Sequence, residues 1–336
     1  MHVSDYDYEL PADRIAQTPV EPRDLARLLV DRGLGRYDHR RVRDLPEYLE
    51  PGDLVVVNDT KVLPARLNLQ RSTGGAVEVL LLEPIDENSR RWEALVRPGG
   101  RLRDGEFLRH LGSGSEVVFC GRRGNGDSFE VELCHDGDAL GFIERIGKLP
   151  LPPYVTEDVD DMDRYQTVYA RRPASTAAPT AGLHLTQDLI QTMRNQGVEF
   201  ASVELVVGVD TFRPIQTEDP REHEIHSEFY SVPESTLERA EKADRVVAIG
   251  TTAVRSLESV ATFGELSGRT KLFIHGEYEW KIVDLLLTNF HMPRTTLLLL
   301  VDAFTSGGWR DIYATALAHE YRFLSFGDAM LLERRG

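Results

Sequence analysis

Val246-Val247-Ala248-Ile249-Gly250-Thr251-Thr252-Ala253 is a short apolar run stopped by a glycine and two threonines, and Ala253, Leu257, Val260 and Ala261 then recur at helical spacing. A run this short, closed by glycine and continued with a period near 3.6, reads as a buried strand turning into a helix. The junction puts free backbone N–H groups and two hydroxyls at the carboxyl end of a strand, where open α/β sheets bind ligands. The same grammar recurs on either side. Residues 54–57 form a buried strand that enters Asn58-Asp59-Thr60-Lys61. Thr186 caps a helix bearing Leu189, Ile190 and Met193 that stops near Gly197, and a strand over 200–207 follows. Pro233 opens a helix with Leu237, Ala240 and Ala243 on one face, and Thr295 or Thr296 caps an apolar helix over 297–304.

The middle of the chain reads differently. Alternating runs over 77–82, 92–96, 116–119 and 129–133 are separated in places by Pro98-Gly99-Gly100, Gly112-Ser113-Gly114 and Gly124-Asn125-Gly126. Close-set short strands with glycine turns predict a small antiparallel barrel or sandwich. The expected architecture is therefore a layered α/β domain over 1–62 and 151–336, interrupted by a barrel domain over 63–150. The acidic stretch 157–163, preceded by Pro150, Pro152 and Pro153, is the expected return linker.

The 336 residues carry 39 basic and 55 acidic side chains, a net charge of −16. A chain this acidic repels phosphates at long range, so nucleic-acid contact must be local. The candidate is the arginine-rich stretch 36–43, with Arg23, Arg27 and Arg32 upstream. No apolar stretch reaches membrane-spanning length, and the polar, acidic start Met1-His2-Val3-Ser4-Asp5-Tyr6-Asp7 lacks secretory character, which predicts a cytoplasmic protein. Cys120 and Cys134 lack CxxC spacing and read as structural.

Several clusters can carry chemistry. Ala177-Ala178-Pro179-Thr180-Ala181-Gly182-Leu183-His184 is small and rigid, lets backbone approach a ligand, and ends in an imidazole able to move a proton. In His223-Glu224-Ile225-His226-Ser227-Glu228 a helix would place the two histidines on one face for zinc, but HExxH spacing and a third ligand are missing, and no metal is expected. If extended, the segment sends His226 and Glu228 to one face. Thr288-Asn289-Phe290-His291-Met292-Pro293 supplies an amide, a ring and a further imidazole, with Phe290 read as core. Arg255, one turn into the helix after Gly250, can present its guanidinium to an anion. There is no Walker lysine motif, dinucleotide glycine fingerprint or GxSxG elbow.

Taken together with Asp5-Tyr6-Asp7-Tyr8-Glu9-Leu10-Pro11, Asn58-Asp59-Thr60-Lys61-Val62-Leu63-Pro64-Ala65-Arg66, Pro150-Leu151-Pro152-Pro153-Tyr154, Arg164-Tyr165-Gln166-Thr167-Val168-Tyr169-Ala170 and Thr211-Phe212-Arg213-Pro214, these motifs span nearly the whole chain in order. The chain resembles the S-adenosylmethionine:tRNA ribosyltransferase-isomerase (QueA) family. The resemblance implies an α/β domain with an inserted six-stranded barrel, and a cytoplasmic monomer that needs no metal. S-adenosylmethionine is then the co-substrate and ribosyl donor. The acceptor is 7-aminomethyl-7-deazaguanine at the wobble position of a tRNA anticodon stem-loop, and adenine and methionine leave as epoxyqueuosine forms.

On that resemblance, His184 and His226 are expected to transfer protons. Glu228 would orient His226 or read the deazaguanine edge, and Asp59 would hold the exocyclic amine. Gly250, Thr251 and Thr252, with Thr180, Ala181 and Gly182, would hold the donor, and Arg66, Arg213 and Arg255 would meet the methionine carboxylate or tRNA phosphates. Asn58, Lys61, Gly208, Thr211, Asn289, Phe290 and His291 complete the expected substrate contacts. The chain departs from the family pattern at Gly208-Val209-Asp210-Thr211-Phe212, where Asp210 replaces glycine. It departs again at Phe273-Ile274-His275-Gly276-Glu277-Tyr278, at Leu185, and at Ala174-Ser175-Thr176. Two other readings stay open: a same-fold enzyme ribosylating a free deazapurine, and a catalytically silent RNA-binding module.

Overall fold

The computed structural model describes residues 1–124, 127–157, 162–208 and 214–335. Packing divides the chain into two units, one of Met1–Lys61, Pro152–Arg172 and Ala178–Gly336, the other of Val62–Leu151 and Pro173–Ala177.

The first unit is built on nine strands, in chain order β1 (Arg27–Asp31), β2 (Tyr37–Arg41), β3 (Asp53–Asn58), β4 (Glu199–Leu205), β5 (Glu228–Ser231), β6 (Arg245–Ile249), β7 (Ser267–Thr270), β8 (Leu285–Asn289) and β9 (Ala329–Glu333). Their order in the sheet is β7-β5-β4-β3-β6-β8-β9-β1-β2. The central strands β4, β3, β6 and β8 are parallel. Every residue of β3 and β8 is buried, as strands covered on both faces require. Arg245 at the start of β6 grips Asp53 at the start of β3 with two bonds of 2.8 and 2.6 Å, which pins their register.

Three helices matter for the site: α1 (Gln187–Asn195), α2 (Thr251–Phe263) and α3 (Thr296–Phe304). Thr186 Oγ1 accepts from Leu189 N at 3.1 Å and so caps α1, and Thr295 caps α3. The apolar stripe of α1, Leu189, Ile190 and Met193, packs into one core cluster with Val55 and Val57 of β3, Ile249 of β6 and Leu287 of β8. The helix opened by Pro233 runs over Glu234–Ala240, so Ala243, expected on its face, falls beyond its end. The stretch 36–43 contains the edge strand β2, not read as a strand from the sequence because its composition is almost wholly polar.

In the second unit, strands Arg66–Arg71, Ala76–Pro84, Arg91–Arg97, Phe129–Leu133, Glu116–Arg122 and Glu106–Arg109 pair antiparallel in that order. Pairing of Gln70 with Arg109 and Arg71 with Leu108 closes the ring, giving a six-stranded barrel. Arg71 fastens the seam through a bidentate bond to Glu106 at 2.6 and 3.0 Å. Residue patterning marks four of these strands; Arg66–Arg71 and Glu106–Arg109 are too charged to stand out. Of the expected return linker 157–163, residues 158–161 lie outside the described residues.

Candidate functional site

The carboxyl ends of β6 and β8 open into a cleft walled by the 178–181 turn, Gly250, Thr251 and Thr252, residues 288–292, Tyr154 and Ser325. Gly250 makes the corner: its φ of 88° suits glycine, and a Cβ there would touch Ala181 and Thr252. Thr252 Oγ1 is buried and has no hydrogen-bond partner among the described residues. Tyr154 and Ser325 close the opposite wall with a 2.7 Å hydroxyl–hydroxyl bond. Tyr154 ends one of the motifs that carry the family resemblance, whereas nothing in the sequence singles out Ser325, which lies outside the recognisable strand-to-helix turns.

Behind the wall runs a chain of polar groups. Thr180 Oγ1 donates to Asn289 Oδ1 at 2.9 Å, and Asn289 Nδ2 donates to His184 Nε2 at 3.1 Å and to the Asp328 carbonyl at 3.3 Å. His184 is not in the cleft wall; it lines a smaller recess with Arg23, Arg164 and Phe326. Burial, then the charge of Arg322, hold its pKa down to about 4, so the ring is a neutral acceptor for Asn289. The imidazole that does line the cleft is His291, whose Nε2 lies 3.1 Å from Thr288 Oγ1 and whose pKa burial lowers to about 3.

At the Val207 end of the cleft lies a buried ion pair. Glu228 accepts from Gly208 N at 3.2 Å and from Arg255 Nη1, while Arg255 Nε reaches the Leu272 carbonyl at 3.3 Å. Arg255 Nη2 is buried without a partner among the described residues. Glu228 is the first residue of β5, so the expected alternation does not extend back to His226: Glu228 is buried and His226 is exposed in the irregular segment before it. That segment is not helical either, which removes the shared histidine face. Among the described residues no group of three or more His, Cys, Asp or Glu side chains is placed to hold a metal.

Other expected site residues are engaged elsewhere. Asn58 is fully buried and stitches β3 to β4: Nδ2 donates to the Leu205 carbonyl at 3.0 Å, and Oδ1 accepts from Leu205 N at 3.2 Å and Thr60 N at 3.3 Å. Asp59 lies 3.7 Å from Arg171, and Lys61 is half-buried. Arg66 belongs to the barrel unit and pairs with Glu78 at 3.0 Å and the Leu151 carbonyl at 3.1 Å. Phe290 has no exposed surface and packs its ring on Tyr313, Tyr321 and Phe323, as expected of core. Gly182 lets the Tyr169 hydroxyl approach where a Cβ would sit 2.1 Å from it. Thr211 and Arg213, like Asp210, lie outside the described residues.

Glu258 is a positioning residue that sequence reading missed, hidden in the helical pattern of α2. Its fully buried carboxylate accepts from the main-chain N–H groups of Lys281, Ile282 and Val283 at 3.0–3.1 Å and from the Tyr278 hydroxyl at 3.2 Å. It ties the helix carrying Thr252 and Arg255 to the segment that feeds β8 and Asn289.

An open, centrally parallel sheet with a cleft at its strand ends defines an α/β protein of the class that places ligand sites at the carboxyl edge. The family model described as "Queuosine biosynthesis protein" matches residues 3–332, and the chain belongs to that family. It is 47% identical over 341 residues to the S-adenosylmethionine:tRNA ribosyltransferase-isomerase of Thermotoga maritima, covering 99% of this chain and all of that protein. Proteins of the same name from Symbiobacterium thermophilum and Staphylococcus aureus are 48% and 43% identical at the same coverage. The crystal structure of S-adenosylmethionine tRNA ribosyltransferase from Thermotoga maritima aligns with a TM-score of 0.55 and 38% identity over 97% of this chain and 99% of that one.

Proposed function

We propose that the protein transfers and isomerises the ribosyl group of S-adenosylmethionine onto 7-aminomethyl-7-deazaguanine at the wobble position of tRNA, giving epoxyqueuosine, adenine and methionine. The observation that carries this reading is a cleft walled by the Gly250 corner, Thr180 and Asn289, backed by His184 through Asn289 and by the buried Glu228–Arg255 pair next to Gly208, in a chain similar over its full length to enzymes of that name.

The donor lies against Gly250, Thr251, Thr252 and the Thr180–Gly182 turn, where backbone can approach closely. The unengaged N–H of Arg255 takes the methionine carboxylate, and Glu228 holds the guanidinium in place. The positive sulfur acidifies the adjacent ribose carbon, so a base must remove a proton before the acceptor amine attacks. His291, neutral and in the cleft wall with Thr288 Oγ1 beside its ring, accepts a hydrogen bond from the substrate; burial works against its charged form, so it is not assigned as that base. His184 acts one step back, fixing the Asn289 amide. The swung-out wobble base enters by the same mouth. The protein works as a cytoplasmic monomer without a metal, a reading supported by the family resemblance. No helix among the described residues is long and apolar enough to cross a membrane.

The test is adenine release from S-adenosylmethionine with three acceptors: tRNA carrying the modified base, the free base, and none. Release with the tRNA alone is the expected result. Release with the free base alone makes the protein a free-deazapurine ribosyltransferase, and no release with any acceptor leaves a silent binding module.

A further inference from the structure

We propose that the β1–β2 edge of the sheet is a phosphate track for the RNA strand whose base enters the cleft, an inference that rests on the function proposed above. Register places it there. Asn289 at the cleft pairs with Ala329 of β9, Ala329 pairs with Leu28 of β1, and Arg27 beside it pairs with Arg41 of β2. Arg27 and Arg41 thus stand at the cleft end of the sheet, two and three strand spacings from Asn289, roughly 10 to 14 Å.

The way these cations are held is what suits them to a polyanion. Arg27 donates to the His319 carbonyl at 2.6 Å and lies 3.9 Å over the Tyr321 ring; Arg41 donates to the Leu25 carbonyl at 2.7 Å. Arg322, between them and the cleft, donates to the Thr18 and Phe326 carbonyls at 3.1 and 3.0 Å. Carbonyl partners fix a guanidinium without cancelling its charge. The nearby carboxylates bond main-chain groups or another arginine and not these guanidinium groups: Asp328 takes the main-chain N–H groups of Arg27 and Arg322, Asp44 takes that of Arg41, and Asp24 pairs with Arg43 at 3.2 Å. In a chain of net charge −16 such a local, preset row of charge is what short-range phosphate binding needs.

The experiment measures binding of a synthetic anticodon stem-loop RNA across a salt series for wild type, Arg41→Ala and Arg27→Ala/Arg41→Ala, with S-adenosylmethionine affinity and thermal melting alongside. The double variant is expected to bind the RNA about tenfold more weakly at low salt. Its slope of log Kd against log salt falls by about 2, and by about 1 in Arg41→Ala, one phosphate contact per arginine. Donor affinity stays unchanged. Arg41 is exposed, so its single variant remains informative if loss of Arg27 from the Tyr321 ring impairs folding. Wild-type affinity and slope in Arg41→Ala and in any folded double variant would overturn the track while leaving the enzymatic function standing. An arginine-dependent slope with no adenine release from any acceptor would keep the track and overturn the function.

Discussion

The ends of β3 and β6 are neighbours in the sheet, Val57 beside Ile249, and both run into short polar turns, yet they do different work. At the β3 end Asn58 has both amide heteroatoms engaged, Nδ2 with the Leu205 carbonyl and Oδ1 with the N–H groups of Leu205 and Thr60, and the corner is closed. At the β6 end Thr252 Oγ1 and Arg255 Nη2 are buried without partners among the described residues. An unsatisfied buried group costs ~1–3 kcal/mol, a cost that a bound ligand removes. Buried polarity alone therefore does not mark a binding site; what marks it is polarity left unengaged beside a cleft.

That contrast can be broken most forcefully at Arg255. Arg255→Ala strands the Glu228 carboxylate in the interior, and breaking a buried pair costs about 3–5 kcal/mol. Adenine release is expected to fall by at least about a hundredfold, with donor binding lost in calorimetry; unchanged donor affinity in a folded variant would remove Arg255 from the donor site.

The next effect concerns the two buried imidazoles. His184 and His291 have pKa values lowered from 6.5 to about 4 and about 3, chiefly by desolvation. Between pH 6.5 and those values the unfolded chain binds the extra protons, so stability is full above 6.5 and declines as pH falls through 4, by on the order of 3 kcal/mol per ring. Thermal melting as a function of pH should show this, and His184→Asn should flatten the upper part of the decline. A melting temperature independent of pH from 7 to 4 in wild type would contradict the buried neutral rings.

Asn58→Ala sharpens the comparison from the closed side. It should cost about 1–3 kcal/mol in denaturant unfolding while the folded fraction keeps its donor affinity and turnover. Weakened donor binding there would make the two corners one site. The smallest change expected is Thr252→Val, which keeps the shape and deletes the unengaged hydroxyl. Unfolding stability should hold or rise slightly and donor affinity fall about fivefold, near 1 kcal/mol; equal affinity would show that the hydroxyl meets no ligand.

The histidines show how much of the site was legible. A small, rigid run ending in an imidazole points to His184, and the pattern is blind to the Asn289 amide that the ring bonds and to the separate recess that the ring lines. His226 was expected to share a face with Glu228, a geometry that needs the strand to begin two residues earlier than it does. Glu258 gave no signal, because a carboxylate in a helical pattern reads as a solvated face until the loop it anchors is in view.

Local pattern was enough to determine the strand-to-helix turn at Gly250, the threonine caps on α1 and α3, the apolar central strands and an inserted domain of short strands, because each depends on residues within one or two turns of chain. Which polar groups are engaged and which remain open, that His291 rather than His184 faces the cleft, and where Arg27 and Arg41 stand relative to Asn289 depend on strands far apart in sequence pairing in one register. Hydrogen-bond saturation and burial are properties of those long-range neighbours, so only the folded chain could decide them.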